Sequence, residues 1–91
     1  MTAQAHLIVS GKVQGVFYRA SCQEVAIQYG LKGWVRNLPS GEVEALIQGE
    51  KEKIEKLIDW CKKGPPHARV SDVKIEWQLM TDRLYSFGIR N

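Results

Sequence analysis

Residues 11–19 read GKVQGVFYR, a run that places Gly15 four positions ahead of Arg19 where strand-like alternation gives way to a helical period. A glycine-bearing loop between a strand end and a helix start gathers unpaired backbone N–H groups at the positive end of the helix dipole, and such a place attracts anions. Gly15 can adopt backbone angles forbidden to other residues, which lets successive N–H groups turn inward around one tetrahedral oxyanion. Arg19, at the first helical turn, adds a planar fork able to make two charge-assisted hydrogen bonds. A plainer reading stands beside this one: Gly15 serves a tight turn and Arg19 is a solvated helix residue. Neither GxxxxGK[ST] nor GxGxxG is present, so nucleotide-type phosphate loops are excluded.

A second run, GWVRNLPSG at residues 33–41, puts Asn37 at a strand end leading into a turn. Taken alone, Asn37 is an ordinary turn residue, because Asn commonly hydrogen-bonds its own backbone there. The other chemically capable residues point away from catalysis. Glu42 and Glu44 alternate along a strand and read as its solvated face rather than as a catalytic or metal pair. His6 lies early in a strand and His67 follows Pro65-Pro66, so each reads as structural or solvated and no protein general base stands out. Cys22 and Cys61 lack any CxxC or Cys/His spacing, which points to two buried, reduced thiols and to neither zinc nor a redox motif. No metal and no cofactor are expected.

The elements that must position these residues follow from periodicity. Residues 5–13 form a strand, and Cys22, Val25, Ala26 and Tyr29, at i, i+3, i+4 and i+7, mark an amphipathic helix closed by Gly30. Residues 31–37 and 42–48 make a hairpin around Leu38-Pro39-Ser40-Gly41. A second helix spans 50–63, with Ile54, Leu57, Ile58 and Cys61 inward and Gly64-Pro65-Pro66 as its stop. If the two helices run antiparallel on one face, Cys22 and Cys61 become neighbours. Val70 to Trp77 alternates as a fourth strand, with Val73, Ile75 and Trp77 on one side, and Tyr85 to Ile89 forms a short last one. The expected architecture is α+β, a ferredoxin-like βαββαβ sandwich with an antiparallel sheet and two helices on one face, over one domain of residues 1–91. In such a fold the first two strands run parallel, so the loop after Val13 and the turn after Asn37 share an edge of the sheet, and Arg19 and Asn37 face one pocket.

The chain has 91 residues and a formal charge of +3, with both signs interspersed. That length suits one compact domain, and no apolar span approaches the roughly 20 residues of a membrane helix. No leader segment is evident, so an untargeted, cytoplasmic, monomeric protein is expected, with no membrane partner. The mild charge suits a small anionic ligand and does not call for nucleic acid.

The two runs together resemble the paired signatures of the acylphosphatase family, in that family's order and spacing. The likeness extends over nearly the whole chain, including Gly64-Pro65-Pro66 and Arg69-Val70. It implies a metal-free hydrolase that cleaves acyl phosphates to carboxylate and inorganic phosphate, with phosphate as both product and inhibitor. It further implies a phosphate cradle built from the backbone amides of Gln14, Gly15, Val16, Phe17, Tyr18 and Arg19. Arg19 would bind the phosphoryl group and Asn37 would orient the attacking water. The family's commonest motif has glycine where this chain has Phe17, so a positive φ there would strain Phe17. Two other classes share the fold. RNA-binding domains expose aromatics on the sheet, where this chain has Glu42-Val43-Glu44-Ala45-Leu46. A non-catalytic anion-binding relative would keep the fold without the activity.

Overall fold

The computed structural model describes residues 2–80 and 82–91; Met1 and Thr81, within the expected 1–91 span, lie outside the described residues. The order is β1 (Thr2–Lys12), α1 (Tyr18–Gln28), β2 (Lys32–Asn37), β3 (Val43–Glu50), α2 (Lys51–Lys63), β4 (Arg69–Gln78) and β5 (Phe87–Arg90). The strands form a single sheet in the order β4-β1-β3-β2-β5. β3 pairs antiparallel with both β1 and β2, so β1 and β2 run parallel to each other although β3 separates them. Lys12 and Asn37, their last residues, therefore lie at one edge of the sheet, as the sequence leads one to expect.

The sheet is ferredoxin-like but not wholly antiparallel, because β5 lies parallel to β2. The reason is where β5 sits. β4 and β5 occupy opposite edges, so the chain between them must cross the open face of the sheet before β5 can enter beside β2. Gln48 holds that crossing: its Nε2 donates to the Asp82 carbonyl and its Oε1 accepts from the Leu84 N–H. Gln48 is buried, and a second Nε2 bond to Gln4 Oε1 leaves its amide well satisfied.

Alternation decides which face is core. Ala5, Leu7 and Val9 on β1, Val35 on β2 and Val43, Ala45 and Ile47 on β3 are buried against the helices. From α1 they meet Cys22 and Ala26, with Val25 and Tyr29 packed at the margin; from α2 they meet Ile54, Leu57, Ile58 and Cys61. Each large aliphatic side chain in this layer contributes about 2 kcal/mol of burial. β4 shows the expected alternation, with Val73, Ile75 and Trp77 opposite Val9, Leu7 and Ala5. As an edge strand it is covered less, and Ile75 and Trp77 stay partly exposed, with Lys51 Nζ over the Trp77 ring. Gly30, at φ 68, ends α1 in the left-handed conformation expected of it, and the Leu31 N–H bonds back to the Ala26 carbonyl. Among the described residues no helix is long and apolar enough to cross a membrane.

Candidate functional site

The loop between β1 and α1 begins with a bend and ends with an uncapped helix. β1 shifts register against β4 between Ser10 and Gly11, a bulge that turns the strand end toward the loop. Gly15 follows at φ 74 with open space around its Cα, which only its missing side chain makes inexpensive. Phe17 then occupies the N-cap of α1 and makes no side-chain capping bond, and no acidic residue lies in the first turn. Among the described residues the first N–H groups of α1 are thus left without a side-chain acceptor, at the positive end of the helix.

Phe17 is the one non-glycine residue with positive φ among those described, at φ 63 and ψ 24. This is the strain the sequence warns of. A residue with a Cβ pays about 1–2 kcal/mol to adopt that conformation.

Four side chains tie this loop to its surroundings. Gln14 Nε2 donates to the carbonyls of Leu38 and Glu42, 2.8 and 2.9 Å away, and so fixes the loop to the turn that follows Asn37. That turn is itself closed by a bond from the Leu38 N–H to the Glu42 carbonyl. Tyr18 Oη donates to the Cys61 carbonyl at 2.8 Å, pinning the start of α1 to the end of α2, and its ring lies 5.3 Å from that of Trp60. Burial, with Cys61 beside it, pushes the Tyr18 phenol well above its usual range and keeps it a neutral donor. Arg19 Nη1 and Gln23 Nε2 donate to the carbonyls of Arg90 and Phe87, fastening α1 to β5. Arg90 in turn stacks its guanidinium on Trp34, 4.7 Å from the ring centre, with Arg36 also within cation–π reach of that ring.

The product of these ties is an open cleft of ≈ 280 Å³ lined by Val13, Gly15, Phe17, Tyr18, Arg19, Ala20, Asn37 and Ile89. It lies near the lower end of small-molecule sites in size. Arg19 and Asn37, expected to share a pocket, do share this one. Of the six loop residues anticipated, Gly15, Phe17, Tyr18 and Arg19 line it. Gln14 spends its side-chain amide on the neighbouring turn, and Val16 is buried in the core. Asn37 Oδ1 is buried with no hydrogen-bond partner among the described residues. An unsatisfied buried acceptor costs about 1–3 kcal/mol, which makes it a ready receiver for a donor entering the cleft. Arg19, using one of its five donors on Arg90, supplies positive charge in the same wall.

Of the two glutamates, Glu44 departs from the solvated face expected of it. Glu44 is largely buried, accepting from Arg36 Nε on one side and pairing with His6 Nε2 at 2.7 Å on the other. Desolvation opposes its charge, but the bonds to His6 and Arg36 outweigh it and hold the carboxyl below the usual carboxylate range. Glu42 accepts from Ser40 and Ser10, which lowers its pKa as well. These bonds join β1, β2 and β3 on the open face, away from the cleft lining. No register was available in the sequence to pair His6 with Glu44. Among the described residues no three His, Cys, Asp or Glu side chains group as metal ligands. Cys22 and Cys61 are free, buried and neighbours, and the hydrogen bond between them together with burial raises the Cys22 thiol.

Glu44 yields a pH prediction. A folded-state pKa below the unfolded value of 4.5 adds stability at higher pH, which is lost as pH falls through the folded value. Melts from about pH 7 to about pH 3 should show Tm falling below the ordinary carboxylate range, with a shallower fall in Glu44→Gln. Equal slopes in the two proteins would remove Glu44 from the acid response.

Comparison with known proteins extends the geometry. Residues 5–89 match the profile of the acylphosphatase family. The chain is 47% identical over 87 residues to an acylphosphatase of Pelotomaculum thermopropionicum, covering 96% of this chain and 95% of that one. The structure is similar to an acylphosphatase from Coxiella burnetii, at TM-score 0.92 and 43% identity over 98% of this chain and 93% of that one. It is similar also to an acylphosphatase from Bacillus subtilis, at TM-score 0.95 and 32% identity over the whole of both chains. With its fold and nearly its whole length in agreement, the chain belongs to the acylphosphatase family.

Proposed function

We propose that this chain hydrolyses small acyl phosphates in the cleft between the β1–α1 loop and Asn37. The observation that carries this reading is the shared wall: Arg19, the uncapped start of α1 and Asn37, whose buried Oδ1 has no hydrogen-bond partner among the described residues, all border one cleft. The backbone amides from Gln14 to Arg19 receive the phosphoryl oxygens, and the Arg19 guanidinium neutralises their charge. Asn37 Oδ1 accepts a hydrogen bond from one water and holds it in line with the bond to be broken. Water oxygen then bonds to phosphorus while the phosphorus–acyl oxygen bond breaks and its electron pair leaves on the carboxylate. An amide cannot take the water's proton at neutral pH, so a phosphoryl oxygen accepts it. A carboxylate is a good leaving group, and this scheme calls on no metal or general base. Residues 1–91 act as one domain, as a cytoplasmic monomer whose partner is the small substrate and not nucleic acid.

Inorganic phosphate, as product, should inhibit competitively and stabilise the fold. At ten times its Kd the stabilisation is about 1.4 kcal/mol, a Tm rise of roughly 5 °C or more for a domain of this size. Initial rates at several phosphate concentrations, beside thermal melts, check both parts. Inhibition that does not compete with an acyl phosphate, or a Tm indifferent to phosphate, would overturn the assignment of the cleft.

A further inference from the structure

Phe17 is held in a conformation suited to glycine, so its ring is not there for the backbone's sake. It is 80% exposed, so the ring is not there for the core. What it does is line the cleft that holds Arg19 and Asn37, where Ile89, itself 42% exposed, supplies a second apolar side chain. A strained, solvent-facing aromatic at the mouth of a cationic cleft has one favourable use, which is to cover an apolar part of what enters.

Resting on the function proposed above, we infer that Phe17 is a specificity-determining residue that, with Ile89, contacts the acyl group of the substrate and selects aromatic or bulky apolar acyl phosphates over short ones. The phosphoryl end is common to all acyl phosphates and is met by the loop amides and Arg19. Discrimination has to come from the other end, and among the described residues Phe17 and Ile89 are the large exposed apolar side chains that border the cleft.

The readout is the ratio of kcat/KM for benzoyl phosphate to that for acetyl phosphate. Any change in the loop itself acts on the shared phosphoryl group and cancels from the ratio. Wild type should favour benzoyl phosphate, and Phe17→Gly should lower the ratio about five-fold, the size of one lost ring contact. Ile89→Ala should lower it in the same direction, and Phe17→Tyr should keep it within about two-fold. An active wild type whose ratio is unchanged in Phe17→Gly and Ile89→Ala overturns this inference and leaves the hydrolase reading intact. A wild type that hydrolyses neither substrate overturns that reading and the inference with it.

Discussion

Arg19→Ala is expected to raise the Ki for inorganic phosphate at least ten-fold and to lower kcat/KM by about 10³, the lower end of what an arginine facing a transferring phosphoryl group contributes. The loss appears in both constants because the guanidinium meets the phosphoryl oxygens before and during reaction, and the developing charge only strengthens that contact. Arg19→Lys should recover little. An ammonium carries the charge but cannot donate to the Arg90 carbonyl and to two phosphoryl oxygens from one rigid plane. The variant should remain folded, because the Arg19 side chain contributes nothing to the buried core. Steady-state kinetics with phosphate inhibition, beside a thermal melt, separates these effects. An Arg19→Ala protein with near-normal phosphate affinity would return Arg19 to the role of a helix residue that merely fastens β5.

Asn37→Ala should fail differently. If its amide holds the attacking water and not the phosphoryl group, phosphate Ki stays within a few-fold of wild type while kcat falls by about 10² or more. That loss corresponds to roughly 3 kcal/mol of transition-state stabilisation from one preorganised polar group. Stability should hold or rise slightly, because the substitution removes a buried oxygen that has no hydrogen-bond partner among the described residues. Near-normal kcat in Asn37→Ala would make Asn37 a turn residue and nothing more.

What the sequence made legible was periodic or local. The stripe of Ile54, Leu57, Ile58 and Cys61 predicts α2 within a residue of its observed start, and Gly64 marks its end. The βαβ order alone puts the ends of β1 and β2 at one edge, which is why the sequence itself pairs Arg19 with Asn37. The contacts that were not legible join residues far apart in sequence with no pattern linking them. Arg19 finds the Arg90 carbonyl 71 positions away, and that contact depends on β5 pairing parallel with β2, which a strand of only four residues does not announce. Alternation correctly put Glu44 on the open face but could not show that His6 and Arg36 would close over it, because that depends on register across three strands. Phe17 falls between these cases. The motif marked the position as suited to glycine, and the structure shows the aromatic accepting the strained conformation.

In the proposed reaction water attacks phosphorus held in this loop, and isotope placement distinguishes that step from its alternative. Hydrolysis of benzoyl phosphate in water enriched in oxygen-18 forms one new bond to solvent oxygen, either at phosphorus or at the carbonyl carbon. Mass spectrometry of the two products shows which. Attack on phosphorus, as the loop amides, Arg19 and Asn37 are arranged to promote, leaves the heavy oxygen in phosphate and none in benzoate. Label in benzoate would mean attack at the acyl carbon, and would rule out in-line attack on phosphorus.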